Sequence, residues 1–178
     1  GEFTLHDGDH LFRVLMLMEK LLSPEQIDDL NVPELMLLIL SAFFHDIGMA
    51  PDEKDILAWK KNWDAEPEFE DDDERSKYED FKRFYFARPE QKEEILKFQS
   101  RGKNTLAETK KAYLISEYIR QTHAERARDI IEQDWNNKIK FRNVDLTVEF
   151  AQICFSHNED ALKLLELDKS YLCGDGIF

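Results

Sequence analysis

Apolar residues recur at helical spacing along most of the chain, and they predict a protein built from α-helices. The first such pattern begins after Asp7 or Asp9, either of which can cap a helix, and it continues to about Leu22. Its apolar positions are Leu11, Val14, Leu15, Met18, Leu21 and Leu22. We expect this stripe to pack in a core and to have no other role.

The central stretch, residues 35–49, is apolar on nearly every face. Asn31 can cap a helix there, Pro33 suits its first turn, and Gly48 can end it. A helix that is apolar all round is normally buried in the middle of a bundle. At roughly 16 residues the stretch is too short for a membrane span, which needs about 20 residues. We therefore expect a core helix and no membrane partner.

Further helical patterns follow on both sides of an acidic run. One covers Glu53 to about Trp63, and an aromatic-rich pattern over residues 77–99 is divided into two helices by Pro89. A long helical region begins with a capping box at Thr105, and a second capping-box pattern begins at Thr122. The helix either bends at Thr122 or a new helix begins there. No alternating strand pattern of useful length is present, so the sequence predicts an all-α fold.

The acidic run, residues 64–74, carries eight acidic side chains. Like charges at this density repel one another and disfavour a packed core, which favours a solvated, mobile loop over a cation-binding or partner-binding segment. Residues 51–104, with this loop, are interpreted as an insertion in a single domain over residues 1–178. The chain begins close to its first histidine motif and ends where an apolar segment starts, which indicates a fragment of a longer protein.

Composition narrows the functional classes. A chain of 178 residues is long enough for one domain with a sizeable core. Its net charge of −14 argues against extended nucleic-acid binding, because basic residues supply most of the nonspecific affinity for phosphates. Cys154 and Cys173 give no disulfide framework, and we expect no secretory leader because the N-terminal residues lack a basic region followed by an apolar one. We expect reduced thiols and a cytoplasmic location.

The candidate chemistry lies in the five histidines. His45 and Asp46 end the central apolar stretch, where an ionisable pair must be neutralised, paired or bound to a metal. If the doublet is considered alone, the alternative to metal binding is that Asp46 caps the helix and His45 is hydrogen-bonded within the protein. His10 in the first helix would complete three protein ligands and leave coordination positions for water and substrate. His6 lies near the terminus and is expected to face solvent.

Histidine and carboxylate ligands suit zinc, iron, manganese, nickel or cobalt better than calcium, and magnesium is a further option. Water on such an ion becomes hydroxide near neutral pH. A second ion held by His123 and His157 and bridged by Asp46 would bind the attacking and leaving oxygens together. Alternatively, either histidine is a hydrogen-bond partner of the substrate or a packed side chain.

These motifs resemble the HD-domain superfamily of metal-dependent phosphohydrolases. Residues 10–14 (His-Leu-Phe-Arg-Val) are similar to its first element, and residues 44–48 (Phe-His-Asp-Ile-Gly) to its second. His123 and residues 156–159 (Ser-His-Asn-Glu) resemble the additional histidines of members that hold two metals. The likeness is to HD domains often joined to a histidine-kinase-type or chaperone-type ATPase module, which implies such a module in the same polypeptide.

The resemblance implies an HD-type helical bundle that hydrolyses a nucleotide or another phosphate ester with one or two metal ions. It places metal ligands at His10, His45, Asp46, His123 and His157, and it gives Asp46 and His123 the catalytic roles.

Three polar side chains near these positions are candidate substrate contacts. Arg13 and Arg126 each follow a histidine by one helical turn and could neutralise phosphate charge. Asn158 directly follows His157.

Two departures from the family pattern favour a rival function. Many two-metal members have a second histidine where Asn158 stands. The family also has an aspartate inside a late helix, and this aspartate has no match here, since Asp168 and Asp175 lie in loop-like contexts. We expect that helix beyond Phe178, so that the bundle is truncated at the C-terminus. The rival is a regulatory HD domain that hydrolyses nothing and signals to an attached ATPase or nucleic-acid enzyme. Homo-oligomerisation is left open.

Overall fold

The computed structural model describes residues 8–159, and this range is mostly helical. In chain order its elements are α1 (Gly8–Leu21), α2 (Pro24–Asp29), α3 (Val32–Phe44), a 3-10 turn (Ile47–Met49), α4 (Glu53–Lys60), a second 3-10 turn (Lys61–Trp63), α5 (Asp72–Phe86), α6 (Pro89–Ser100), α7 (Asn104–Asp134), β1 (Lys140–Phe141), β2 (Val144–Asp145) and α8 (Thr147–Ser156). The predicted all-α fold is confirmed. Within residues 8–159 its β-structure is one antiparallel ribbon, in which Phe141 is paired with Val144.

The chain forms two compact units. The first contains the described residues up to Met49 and those from His123 onward, and the second contains Ala50–Thr122. α7 passes through Thr122 without a break, so its first part belongs to the second unit and its last part to the first. The Thr122 hydroxyl donates to the carbonyl of Tyr118 within the same helix, at 2.8 Å. Thr122 therefore does not begin a new helix, and His123 lies in the interior of α7.

α3 begins where the sequence predicts. The Asn31 side chain accepts from the backbone N–H of Glu34 at 3.0 Å, and the Glu34 carboxylate accepts from the backbone N–H of Asn31 at 2.8 Å. This reciprocal capping box satisfies two backbone donors at the helix start. The helix ends earlier than predicted, at Phe44, and Gly48 lies in the 3-10 turn that follows.

α3 is less enclosed than its composition predicts. Leu37 and Ser41 lie on its buried face. The opposite face leaves three apolar residues about two-fifths exposed: Leu35, Ile39 and Phe43. Within residues 8–159 its main packing partners are α1 and α8, and two helices cannot cover a third on all sides.

Within Val32–Trp63 an 18-residue window is apolar enough to be considered as a membrane-crossing segment by length and composition. The α-helix that begins this segment, α3, has 13 residues, which is about 20 Å at 1.5 Å per residue. A bilayer core is about 30 Å thick. α3 is therefore too short to span one.

The core of the first unit fixes the end of α3. Ile131, Phe150 and Cys154 are fully buried in it. Phe44, the last residue of α3, packs edge-on against Trp135 and Phe150, with ring centroids 4.9 and 5.3 Å apart. Such aromatic pairs contribute about 0.5–1.5 kcal/mol each beyond the area that they bury. The packing holds the backbone immediately before His45.

In the second unit seven of the eight acidic side chains of the run are exposed, which confirms the predicted solvated segment, and its last two residues also pair with lysines. Its last residues, Asp72–Glu74, form the first turn of α5, where the helix dipole favours acidic side chains. Lys61 lies 2.5 Å from the carboxylate of Glu74. Lys77 lies 2.7 Å from Asp55 and 2.8 Å from Asp73. Burial lowers the pKa of Lys77, but hydrogen bonds to these two carboxylates raise it by more, so Lys77 stays charged.

An aromatic cluster forms the core of the second unit around Phe81. The Phe81 ring is fully buried, and it stacks on Trp59 with centroids 6.3 Å apart. Tyr118 and Trp63 meet it edge-on at 5.2 and 5.5 Å. α5 ends at Phe86 and α6 begins at Pro89, which confirms the predicted division of this aromatic-rich region.

We expect Phe81→Ala to lower the free energy of unfolding by about 3–5 kcal/mol, because truncation of a fully buried ring leaves a cavity. Phe86→Ala is the matched control on the same helix, since Phe86 is 54% exposed; it should cost about 1 kcal/mol or less. Urea denaturation of both variants measures the difference. Equal losses would contradict the position of Phe81 in the core.

Candidate metal centre

The end of α3 presents His45 and Asp46 to one side of the first unit. The backbone N–H of His45 still bonds to the carbonyl of Ser41, at 2.9 Å, so His45 continues the helix by one residue. Its Nδ1 lies 3.1 Å from the carbonyl oxygen of Ala42, which accepts its proton. The other ring nitrogen, Nε2, lies 3.0 Å from Oδ2 of Asp46. The last turn of α3 thereby fixes which nitrogen faces the site.

The end of α8 holds His157 in the same way. Nδ1 of His157 donates to the carbonyl of Cys154, three residues earlier. Its Nε2 lies 2.8 Å from Nε2 of His123, which α7 supplies from its interior. Histidines that bind a metal through one ring nitrogen typically donate a hydrogen bond from the other nitrogen, here Nδ1, to a backbone carbonyl. This bond fixes the tautomer and the ring orientation.

Asp46 joins the histidines into two groups. Its Oδ1 lies 3.3 Å from Nε2 of His123 and 3.6 Å from Nε2 of His157. Asp46 also belongs with His10 and His45, whose ring centroids are 6.4 Å apart. In each group the potential ligand atoms lie within 4.8 Å of one another. All five residues expected to bind metal are thus brought together, with Asp46 shared.

These distances fit metal coordination. Two ligand atoms at about 2.0–2.2 Å from one ion are about 3 Å apart when they meet it at a right angle. The 2.8–3.6 Å separations among Asp46, His123 and His157 lie close to this value. Two imidazoles and one carboxylate in each group form a donor set that suits transition metals. The residues of each group would therefore suit one ion, and Asp46 belongs to both groups.

The Asp46 carboxylate remains ionised although it is half-buried. Burial raises its pKa, but hydrogen bonds with His123, His157 and His45 lower the pKa by more, to well below its usual range. The bond to Asp46 is also the main reason why the pKa of His45 is raised, against the effect of burial. Each of these two side chains therefore favours the charged form of the other.

The three expected substrate contacts lie in different environments. Arg13 is exposed on α1, one turn after His10. Arg126 is half-buried, and its Nη2 donates to the carbonyl of Gly48. Asn158 is exposed directly after α8. His6, Cys173, Asp168 and Asp175 lie outside the described residues.

Sequence reasoning missed the role of Gly48. A Cβ atom at this position would overlap the carbonyl oxygen of His123 and would stand 2.8 Å from the backbone nitrogen of Ala127. Only a residue without a side chain permits the 3-10 turn to lie this close to α7. The sequence signal for this close approach is the glycine two residues after the His-Asp doublet. From the sequence alone, that glycine indicates only the end of a helix.

Comparison with known families agrees with this geometry. The family model described as HD-CE matches residues 1–177. The chain belongs to the HD-CE family. The name of the family indicates an HD-type domain, which supports the resemblance of the histidine motifs to HD domains. The match does not extend to an attached ATPase module. No curated protein and no solved structure matched the chain.

We expect affinity for Mn²⁺ in the group of His10, His45 and Asp46 to fall as the pH is lowered. Hydrogen bonding raises the pKa of His45 above its ordinary 6.5, and an ion must displace the proton from Nε2. Below that raised pKa, affinity should fall about tenfold per pH unit. Calorimetric titration between pH 6 and 8.5, in two buffers of different ionisation enthalpy, measures both affinity and proton release. Affinity that is independent of pH in this range would contradict the assignment of His45 as a ligand.

Proposed function

We propose that this domain is a metal-dependent phosphohydrolase that acts on a nucleotide or another phosphate ester. The observation that supports this most is the position of Asp46, which is shared by the group with His10 and His45 and the group with His123 and His157. Two-metal hydrolysis requires two ions close enough to bind the attacking and leaving oxygens of one phosphate. Membership in the HD-CE family agrees with this chemistry.

The candidate ions are manganese, iron, zinc, nickel and cobalt, with magnesium as a further option. Imidazole nitrogens in both groups favour these metals over calcium, which prefers oxygen ligands alone. When bound, such ions supply an activated water and neutralise charge that develops on the phosphate. The protein fixes the ligand orientation through the carbonyls of Ala42 and Cys154.

Arg13 is the candidate residue for binding the phosphate group. The chain carries a net charge of −14, so a phosphate ester is repelled at long range and needs a local cation near the site. Arg13 is exposed one turn after His10, and its guanidinium can donate two charge-assisted hydrogen bonds to phosphate oxygens. The Asn158 amide, next to His157, can contribute a donor or an acceptor.

Within residues 8–159, covalent catalysis by Cys154 does not fit the site. Cys154 is fully buried, and burial raises the pKa of its thiol to about 12. A thiol with this pKa is not a nucleophile near neutral pH. Direct attack by water is therefore the mechanism that we propose.

The second candidate function is the regulatory one, in which the domain binds metal, hydrolyses nothing and signals to an attached ATPase or nucleic-acid enzyme. Asn158 favours it, because an asparagine stands where many two-metal relatives have another histidine. A regulatory domain and a phosphohydrolase can be distinguished by one measurement, because only the phosphohydrolase turns over a substrate.

We expect the protein with Mn²⁺ to release phosphate or a nucleotide from at least one member of a panel of nucleotides and simple phosphodiesters. Asp46→Ala should abolish this turnover and leave the helix content unchanged, because it removes a ligand that both groups share. Asp52→Ala is the matched control: Asp52 is exposed and makes no capping hydrogen bond. Phosphate release and circular dichroism are the measurements. Metal binding without turnover across the panel would favour the regulatory function.

A further inference from the structure

The 3-10 turn after Asp46 is in backbone contact with α7. There is no room for a Cβ atom at Gly48, because it would overlap the carbonyl of His123 and lie 2.8 Å from the nitrogen of Ala127. Gly48 is buried, and the turn is closed by a bond from the N–H of Met49 to the carbonyl of Asp46, at 2.8 Å. The segment that carries the shared carboxylate therefore lies directly against the turn of α7 that carries His123.

A side chain from α7 crosses this contact. Arg126 lies one turn after His123, and its Nη2 donates to the carbonyl oxygen of Gly48. The guanidinium is half-buried, in contrast to the exposed Arg13. Because Gly48 is two residues from Asp46, the hydrogen bond restrains the backbone that positions the shared carboxylate.

We infer that Arg126 is a positioning residue, which sets the separation between Asp46 and His123 through the backbone of Gly48. Its role is to keep Asp46 within reach of the group with His123 and His157, so that the second ion can bind. This inference rests on the proposed function, because it concerns the same metal centre. It differs from the role that the sequence indicates for Arg126, which is direct contact with the phosphate.

The geometry explains why an arginine is required. Asp46 Oδ1 is 3.3 Å from Nε2 of His123, so a shift of about 1 Å in the 3-10 turn would take one carboxylate oxygen out of coordination range. A planar guanidinium fixes both direction and distance, whereas a lysine ammonium is a flexible point charge. The group with His10 and His45 has no ligand on α7, and His45 and Asp46, which are adjacent in sequence and 3.0 Å apart, move together with the turn.

The test is Arg126→Lys, with Arg120→Lys as the matched control. Arg120 lies on the same helix and pairs with Glu117 within it, at 2.9 Å. His157→Ala provides the reference for loss of the second ion. Mn²⁺ stoichiometry and affinities are measured by calorimetry, and coupling between two ions by electron paramagnetic resonance. Hydrogen exchange of a peptide covering residues 45–49, in metal-free protein, reports on the 3-10 turn independently of any ion.

We expect Arg126→Lys to weaken the second Mn²⁺ by about 10–100-fold and to leave the first within about twofold. The coupled two-ion signal should be lost, as in His157→Ala, and exchange in residues 45–49 should become faster. Arg120→Lys should match the wild type in all three measurements.

Two results would overturn the inference. One is a variant with unchanged Mn²⁺ binding but a raised KM, which would make Arg126 a substrate contact. The other is unchanged exchange in the metal-free variant. If the wild type bound no Mn²⁺ while exchange still differed between the variants, the proposed function would fail but the restraint on the turn would stand.

Discussion

A carboxylate taken partly out of water must be compensated by positive charge, and in this structure that carboxylate is Asp46. Burial alone would raise its pKa and favour the neutral acid. The imidazoles of His45, His123 and His157 reverse this effect, so Asp46 is an anion with three nitrogen partners. The same arrangement that stabilises the anion in the metal-free protein brings the carboxylate together with two imidazoles in each of the two groups.

The fold brings these groups together from distant parts of the chain. α3 and α8 each end in a histidine, and their ends meet because the two helices share a core around Phe44 and Phe150. α7 contributes His123 from its interior, after the chain has passed through the second unit. The second unit, Ala50–Thr122, separates Asp46 from His123 in the sequence, and the chain leaves the first unit after Met49 and returns to it at His123.

Much of this arrangement could be predicted from the sequence. The all-α fold follows from helical periodicity, and the start of α3 follows from the capping box at Asn31, because both signals are local. The convergence of His10, His45 and His157 was expected from the family resemblance, since spacing alone does not reveal which histidines meet. Two features could not be predicted because they depend on contacts that local sequence signals do not show. The end of α3 depends on the packing of Phe44, and α7 continues through Thr122 because the Thr122 hydroxyl bonds back to Tyr118 and does not cap a new helix.

The errors also have physical causes. The acidic run is solvated as expected, but its pairing with Lys61 and Lys77 was missed, because local charge density takes no account of distant lysines. The exposed face of α3, with Leu35 and Ile39, could not be foreseen because hydropathy does not reveal how many helices surround it. The contact between Gly48 and Arg126 joins residues 78 positions apart, and a single sequence carries no signal for such a pair.

The orientation of His45 and His157 has a kinetic consequence. Each imidazole depends on a carbonyl in the last turn of its own helix, and a last turn opens more often than a helix interior even where core packing, as at Phe44, slows the opening. When either turn opens, one ligand rotates away while the others stay in place. Release of an ion should therefore proceed by stepwise loss of ligands, at a rate set by fraying of α3 and α8. Occupancy by an ion should in turn suppress that fraying, so that metal exchange and local helix opening are two measurements of the same motion.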